Sequence, residues 1–257
     1  MHFSQRLFLE KIKSHLGPKI KRNESQLFGD NLELSKENEK CEMFSEVFEI
    51  IDKKVGDCDF DFRKLKEVYF SWFKCLKMKA GTSAGFTGLA EYVILRAILL
   101  YFEQKLKIKF EIKSKSNDTR FFASNDKHVL ITHSISMDKN MERAVDKELG
   151  KKIEWNQGAR GLKPDIIIFK ESHEHYNPKA IIQIKVYAVS PSSIRKEINN
   201  VEKMTEIRNK KPLLVIIFFS RLSNENKEKL KEKFDYVITP ESLNFGKMLQ
   251  DVYNQLL

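Results

Sequence analysis

The chain has 257 residues, and its 46 Lys and Arg against 36 Asp and Glu give a formal net charge of +10. With 41% hydrophobic residues, 10 Gly, 6 Pro and 19 Phe, it can bury a core, which excludes collagen-like, low-complexity and disordered acidic proteins. The basic charge favours a polyanionic partner, with nucleic acid ahead of a membrane. Cys41, Cys58 and Cys75 have neither CxxC spacing nor a matched histidine pair, so they indicate a reducing, cytoplasmic location and no zinc finger. No signal peptide or membrane span is predicted.

Residues 1–80 are predicted to form a helical region. Apolar residues recur at helical spacing over 44–51 and 62–76, which predicts two amphipathic helices, and an earlier helix is expected around 8–20. The polar stretch 23–40 predicts a loop. We therefore expect a helical N-terminal region over 1–80 and a main domain over 81–257.

The main domain is predicted to be α/β. Three glycines fall within 80–88, which predicts a loop that enters an apolar helix at 89–102. Further along, alternating or continuous apolar runs predict strands, with helical patterns between the later ones. The expected strands are 107–113, 128–135, 165–169, 180–187, 213–219 and 236–239, and the expected helices are 193–208 and one at the C-terminus. This order predicts a mixed sheet with helices on its faces.

Polar side chains are expected to meet where two of these strands pair. Pro164-Asp165 opens one strand, and Gln183-Ile184-Lys185 lies within the next. The polar residues 170–179, which include Pro178, predict the loop of an antiparallel hairpin between them. Because strand side chains alternate, Gln183 and Lys185 share a polar face opposite an apolar one. The hairpin then brings a carboxylate, an amide and an ammonium group together, a suitable arrangement for a hard cation and a water.

Glu91 is a second candidate acid. It lies one turn inside the predicted helix and shares a face with apolar residues, where a lone buried carboxylate is costly. A glutamate near a helix start is also favoured by the helix dipole, which is the ordinary structural explanation.

Over about residues 85–220, this arrangement resembles the PD-(D/E)xK nuclease superfamily, which includes type II restriction endonucleases. The resemblance matches Glu91 to the helical acid of the family, Asp165 to the aspartate, and Gln183-Ile184-Lys185 to (D/E)xK. Gln183 stands where the family usually has an acid, as it does in some restriction enzymes. The resemblance implies a restriction-endonuclease-like mixed central sheet flanked by helices, with 81–257 as the nuclease core. By the same analogy, residues 1–80 would serve dimerisation or DNA contact.

The resemblance also implies a chemistry. Mg²⁺, replaceable by Mn²⁺, would be held by Asp165, the backbone carbonyl of Ile184 and Glu91, and Gln183 remains compatible with cation ligation. Lys185 would orient or deprotonate the attacking water and offset charge on the phosphate. Other acids, such as Glu142 or Glu154, are left open as replacements for Glu91.

The function expected from this resemblance is sequence-specific hydrolysis of double-stranded DNA by a homodimeric type II restriction endonuclease. Basic and hydroxyl residues that flank the site in sequence are candidate DNA contacts. They are Arg160, Lys163, Ser193, Arg195 and Lys196. A repair or recombination nuclease of the same fold and a catalytically inactive DNA-binding module are the alternatives. No membrane partner and no nucleotide cofactor are expected, since the glycine segment lacks the GK[ST] of a P-loop.

Overall fold

The computed structural model of the chain describes residues 52–75, 83–113, 121–133, 137–153, 161–173, 175–186, 191–205 and 212–257. The helices expected around 8–20 and 44–51 lie outside these residues, as do Arg160 and Glu154. The chain divides into two compact units, residues 1–98 and 99–257. The boundary expected between residues 80 and 81 stays a prediction.

The described part of the first unit is helical. A short helical segment at 52–56 precedes helix α1 (Phe62–Cys75), and helix α2 (Ser83–Leu106) starts in this unit and ends in the second. The helix predicted over 62–76 is therefore confirmed. The loop expected at 80–88 is wrong from Ser83 onward, because α2 begins there and includes two glycines. The intrinsic cost of a helical glycine, about 1 kcal/mol, is small enough for packing of the apolar residues that follow to outweigh it.

The second unit contains an eight-stranded mixed sheet flanked by helices. Its strand order is β1-β2-β3-β5-β6-β7-β8, with β4 beside β6. Neighbours from β1 to β6 on this path are antiparallel, whereas β6, β7 and β8 are parallel, as is the β4 and β6 pair. The strands are β1 (Phe110–Lys113), β2 (Phe121–Ser124), β3 (Val129–His133), β4 (Lys152–Ile153), β5 (Ile166–Ser172), β6 (His175–Lys185), β7 (Leu213–Phe218) and β8 (Tyr236–Ile238). The helices that follow α2 are α3 (Lys139–Leu149), α4 (Pro191–Thr205), α5 (Asn224–Lys231) and α6 (Phe245–Asn254). The predicted fold class, a mixed central sheet with flanking helices, is confirmed.

The central strands are buried on both faces, which explains their continuous apolar runs. One face of the sheet presents Ile167, Ile181 and Ile216, and it belongs to a core cluster that includes Ile194 of α4 and Leu230 of α5. The opposite side chains of β6, such as Ile182 and Ile184, are buried as well. The separation of a polar and an apolar face expected for β6 is therefore wrong: both of its faces are buried.

The β5–β6 hairpin has longer strands and a shorter turn than expected. Its strands pair out to Ser172 and His175, so most of the loop predicted over 170–179 is strand. Pro178 lies at the register shift next to the Phe169 position, and such an irregularity tolerates a residue without an N–H. The chain turns near His173, which has a positive φ of 55°. The antiparallel hairpin itself is confirmed.

No helix in the described part of the chain combines the length and the apolar character needed to cross a membrane.

Candidate active site

Asp165 is joined directly to the middle of the predicted motif. It immediately precedes β5, whose first residue, Ile166, pairs with Ile182 of β6. The Oδ2 atom of Asp165 accepts a hydrogen bond from the backbone N–H of Ile184 at 2.6 Å. A charged acceptor on a backbone donor is among the stronger hydrogen bonds in proteins, so the Asp165 side chain is fixed relative to β6. The structure thus brings Asp165 and the segment 183–185 together.

Lys185, the last residue of β6, contacts an acid that sequence reasoning missed. Its Nζ lies 2.8 Å from Oε1 of Glu197 in α4. The two side chains are 28% and 12% exposed, respectively, so this is a largely buried ion pair. A charge in such a position needs a partner, because its desolvation is otherwise uncompensated. Lys185 and Glu197 therefore hold each other at the carboxyl edge of β6.

A signal for Glu197 was present in the helix pattern. It falls three residues after Ile194 and four before Val201, on the apolar stripe by which α4 packs onto the sheet. Ile194 is buried, and the intervening Arg195 and Lys196 are exposed. An acid on the buried stripe of a helix is a candidate site residue, for the same reason as Glu91 in α2. Glu197 also contacts the segment 183–185 through Lys185.

Gln183 lies in the core. It is 6% exposed, and its register partner on β7 is the buried Ile216. A neutral amide is cheaper to bury at this position than a carboxylate would be. An acid reaches the same strand from α4, where Glu197 contacts Lys185.

The other predicted site residues have varied positions. Glu91 is 5% exposed and belongs to the first unit, so its membership of the site stays a prediction. Glu142 lies in the first turn of α3 and is half-buried. The candidate DNA contacts among the described residues are all exposed. They are Lys163, two residues before Asp165, and Ser193, Arg195 and Lys196 in the first turns of α4.

The donors near Lys185 have the chemistry of a hard-cation site. Asp165 and Glu197 offer carboxylate oxygens, and Ile184 offers a backbone carbonyl, the ligand types that Mg²⁺ prefers. No group of three or more His, Cys, Asp or Glu side chains within the described ranges is arranged to hold a metal. Two carboxylates and a backbone carbonyl still fit Mg²⁺, which usually binds through one or two carboxylates and keeps several waters.

Comparison with known proteins assigns no family to this chain. No family model and no curated protein matches this chain. The chain is similar to a solved structure of the restriction endonuclease PspGI in complex with its substrate DNA. The two chains are 11% identical, the TM-score is 0.37, and the match covers 98% of this chain and 92% of that one. The function must therefore be inferred from the chemistry of the chain's own residues.

Proposed function

We propose that this chain is a Mg²⁺-dependent endonuclease that hydrolyses phosphodiester bonds of double-stranded DNA, with Asp165, Lys185 and Glu197 as its working groups. One observation carries the proposal. A lysine at the end of a central strand is ion-paired at 2.8 Å to a buried glutamate, while the preceding residue of that strand is bound by an aspartate carboxylate. Two carboxylates and an ammonium group at one sheet edge match the requirements of phosphodiester hydrolysis.

The acids supply the cation-binding function. Asp165, Glu197 and the carbonyl of Ile184 would hold Mg²⁺, and Mn²⁺ suits the same oxygen donors. A divalent cation held there would lower the pKa of a bound water and offset charge on the phosphate. Gln183 contributes shape and neutrality to the buried wall rather than a charge.

Lys185 supplies the ammonium group. Its three N–H donors suit an attacking water and the phosphate oxygens that gain charge during hydrolysis. Glu197 positions this ammonium group in the free protein, since their ion pair fixes the side chain at the sheet edge. Lys185 is thus held in place before the substrate binds, which reduces the reorganisation needed for reaction.

DNA binding is supported by charge. The net charge of +10 favours a polyanion, and Lys163, Arg195 and Lys196 are exposed close in sequence to the site residues. Within this proposal the enzyme is a type II restriction endonuclease that works as a homodimer. Two active centres related by a two-fold axis would cut both strands of a palindromic site.

The test is cleavage of mixed-sequence plasmid and phage DNA with Mg²⁺ or with EDTA. Lys185→Met and Glu197→Gln should each abolish discrete fragments, with losses of about 100-fold or more. The matched controls are Lys231→Met and Glu228→Gln, which remove the partners of an exposed ion pair of similar length, 2.7 Å. The controls should cut as the wild type does.

Other outcomes would contradict the proposal in different ways. Full activity of Glu197→Gln would exclude Glu197 from the site. Smeared or structure-dependent products would favour a repair or recombination nuclease over a restriction enzyme. DNA binding without any cleavage in Mg²⁺ or Mn²⁺ would favour an inactive binding module, for which Gln183 in place of the usual acid is the motivating feature.

A further inference from the structure

Ser220 carries a buried hydroxyl group without a partner at the same edge of the sheet. Its Oγ atom is shielded from solvent, and it makes no hydrogen bond in the described structure. Leaving a buried hydroxyl unsatisfied costs about 1–3 kcal/mol, so such groups are rare and call for an explanation. The residue as a whole is half-buried, so the hydroxyl lies close to the surface.

The position of Ser220 relative to Lys185 follows from the β6–β7 ladder. Phe218 is the register partner of Lys185, and the N–H of Phe219 donates a hydrogen bond of 2.8 Å to the Lys185 carbonyl. Ser220 follows Phe219 directly, in the bend after β7, so its Cα lies about 3.8 Å from that of the residue hydrogen-bonded to Lys185.

The next strand provides a contrast. Thr239 follows β8 at the same carboxyl edge, and its hydroxyl is paired with the Ser242 hydroxyl at 3.0 Å. The Thr239 hydroxyl after β8 thus has a hydrogen-bond partner, whereas the Ser220 hydroxyl after β7 has none among the described residues. Directly beside Ser220, the Arg221 side chain is 93% exposed. Ligands of α/β proteins commonly bind at the carboxyl ends of parallel strands.

From this geometry we propose that Ser220 is a substrate-binding residue whose hydroxyl donates a hydrogen bond to a DNA phosphate oxygen, at a phosphate next to the one beside Lys185. In this proposal the hydroxyl turns about χ1 from the protein interior towards the bound phosphate. Hydroxyl groups of serine are common phosphate contacts in protein–DNA complexes. This inference rests on the proposed function, because it assigns a further contact to the same site.

The test measures the affinity of a fluorescent DNA duplex by anisotropy in EDTA, where the proposed hydrolysis cannot proceed. Ser220→Ala should weaken binding about 10-fold or more, as expected for a lost hydrogen bond to a charged group. Ser220→Thr, which keeps a hydroxyl, should bind within about threefold of the wild type, a difference well inside one decade of affinity. Since serine carries no charge, the slope of log affinity against log salt should be the same for Ser220→Ala and wild type. Removing a phosphate-bound lysine or arginine would instead change that slope by about one.

Ser223→Ala provides the matched control. Ser223 is exposed and its hydroxyl accepts a hydrogen bond from the Asn226 N–H at 3.3 Å, as the N-cap of α5. We expect Ser223→Ala to lower the melting temperature and to leave DNA affinity unchanged. Ser220→Ala should show the opposite pattern, with an unchanged or raised melting temperature, because it removes an unsatisfied buried group.

The outcomes separate this inference from the proposed function. If the wild type binds DNA and Ser220→Ala binds equally well, or if Ser220→Thr loses as much affinity as Ser220→Ala, the role of Ser220 is refuted while the proposed function stands. A changed salt slope for Ser220→Ala would also refute a neutral contact. If the wild type itself does not bind DNA, the proposed function fails first.

Discussion

Removing the charge of Lys185 should destabilise the protein more than removing the charge of its partner Glu197. Lys185→Met leaves the Glu197 carboxylate, whose side chain is 12% exposed, without its partner. Breaking a fully buried pair in this way costs about 3–5 kcal/mol, and partial solvent access reduces the expected loss to about 2 kcal/mol. Glu197→Gln should cost less, about 1 kcal/mol or below, because the longer and more exposed lysine can turn its ammonium group to water.

A double-mutant cycle measured by urea unfolding tests this reasoning. The double variant Lys185→Met/Glu197→Gln should be more stable than the sum of the single losses predicts, with a coupling energy of about 1 kcal/mol or more. The same cycle on Lys231 and Glu228, whose side chains are 51% and 68% exposed, should give about 0.5 kcal/mol or less. A coupling energy for Lys185 and Glu197 no larger than that of the exposed pair would refute the claim that burial makes this contact strong.

Three further predictions concern single groups. Asp165→Asn keeps an oxygen that can accept the hydrogen bond from the Ile184 N–H, so this variant should lose DNA cleavage while its stability falls by less than about 1 kcal/mol. Asp165→Ala removes the acceptor and should lose about 1–3 kcal/mol of stability. Urea unfolding measures the stability and a plasmid assay measures the cleavage. Asp138 caps α3, since its side chain accepts hydrogen bonds from two backbone N–H groups. In thermal unfolding, Asp138→Ala should destabilise the protein by about 1 kcal/mol, and Asp138→Asn should destabilise it less. Equal losses for the two variants would contradict a capping role. Burial raises the pKa of the Cys58 thiol to about 11, so roughly one molecule in a thousand carries the thiolate at pH 8. Peptide mapping after iodoacetamide treatment should therefore show Cys58 alkylated only when urea unfolds the chain. Rapid labelling of Cys58 in the folded protein would contradict this prediction.

The sheet was predictable where local pattern and burial agree. A continuous apolar run predicted β7, because a strand buried on both faces lacks alternating polar residues. The long β5–β6 pairing was not predicted beyond its first residues. Polar side chains and Pro178 favour a loop locally, yet pairing continues through a register shift that accommodates the proline. Strand length there is decided by tertiary contacts.

The candidate site was predictable only in part, for a similar reason. Asp165 and Lys185 lie on strands adjacent in sequence, so a hairpin was sufficient to relate them. Glu197 becomes part of the site only when α4 packs its apolar stripe onto the sheet, a contact that depends on the helix's position in three dimensions. Ser220 gives no sequence signal at all, since an unsatisfied hydroxyl is visible only in the folded structure.

The distribution of charge across β6 and α4 is compatible with a glutamine at position 183 of the proposed site. Position 183 faces the hydrophobic core, where the desolvation of a carboxylate would oppose folding. Glu197 is also largely buried, but Lys185 compensates its charge in the free protein. The proposed site thus has its second acid on the helix, with two carboxylates and one ammonium group at the edge of the sheet. It also places the acid where its counter-charge is already present, so the site can fold before any cation or DNA binds.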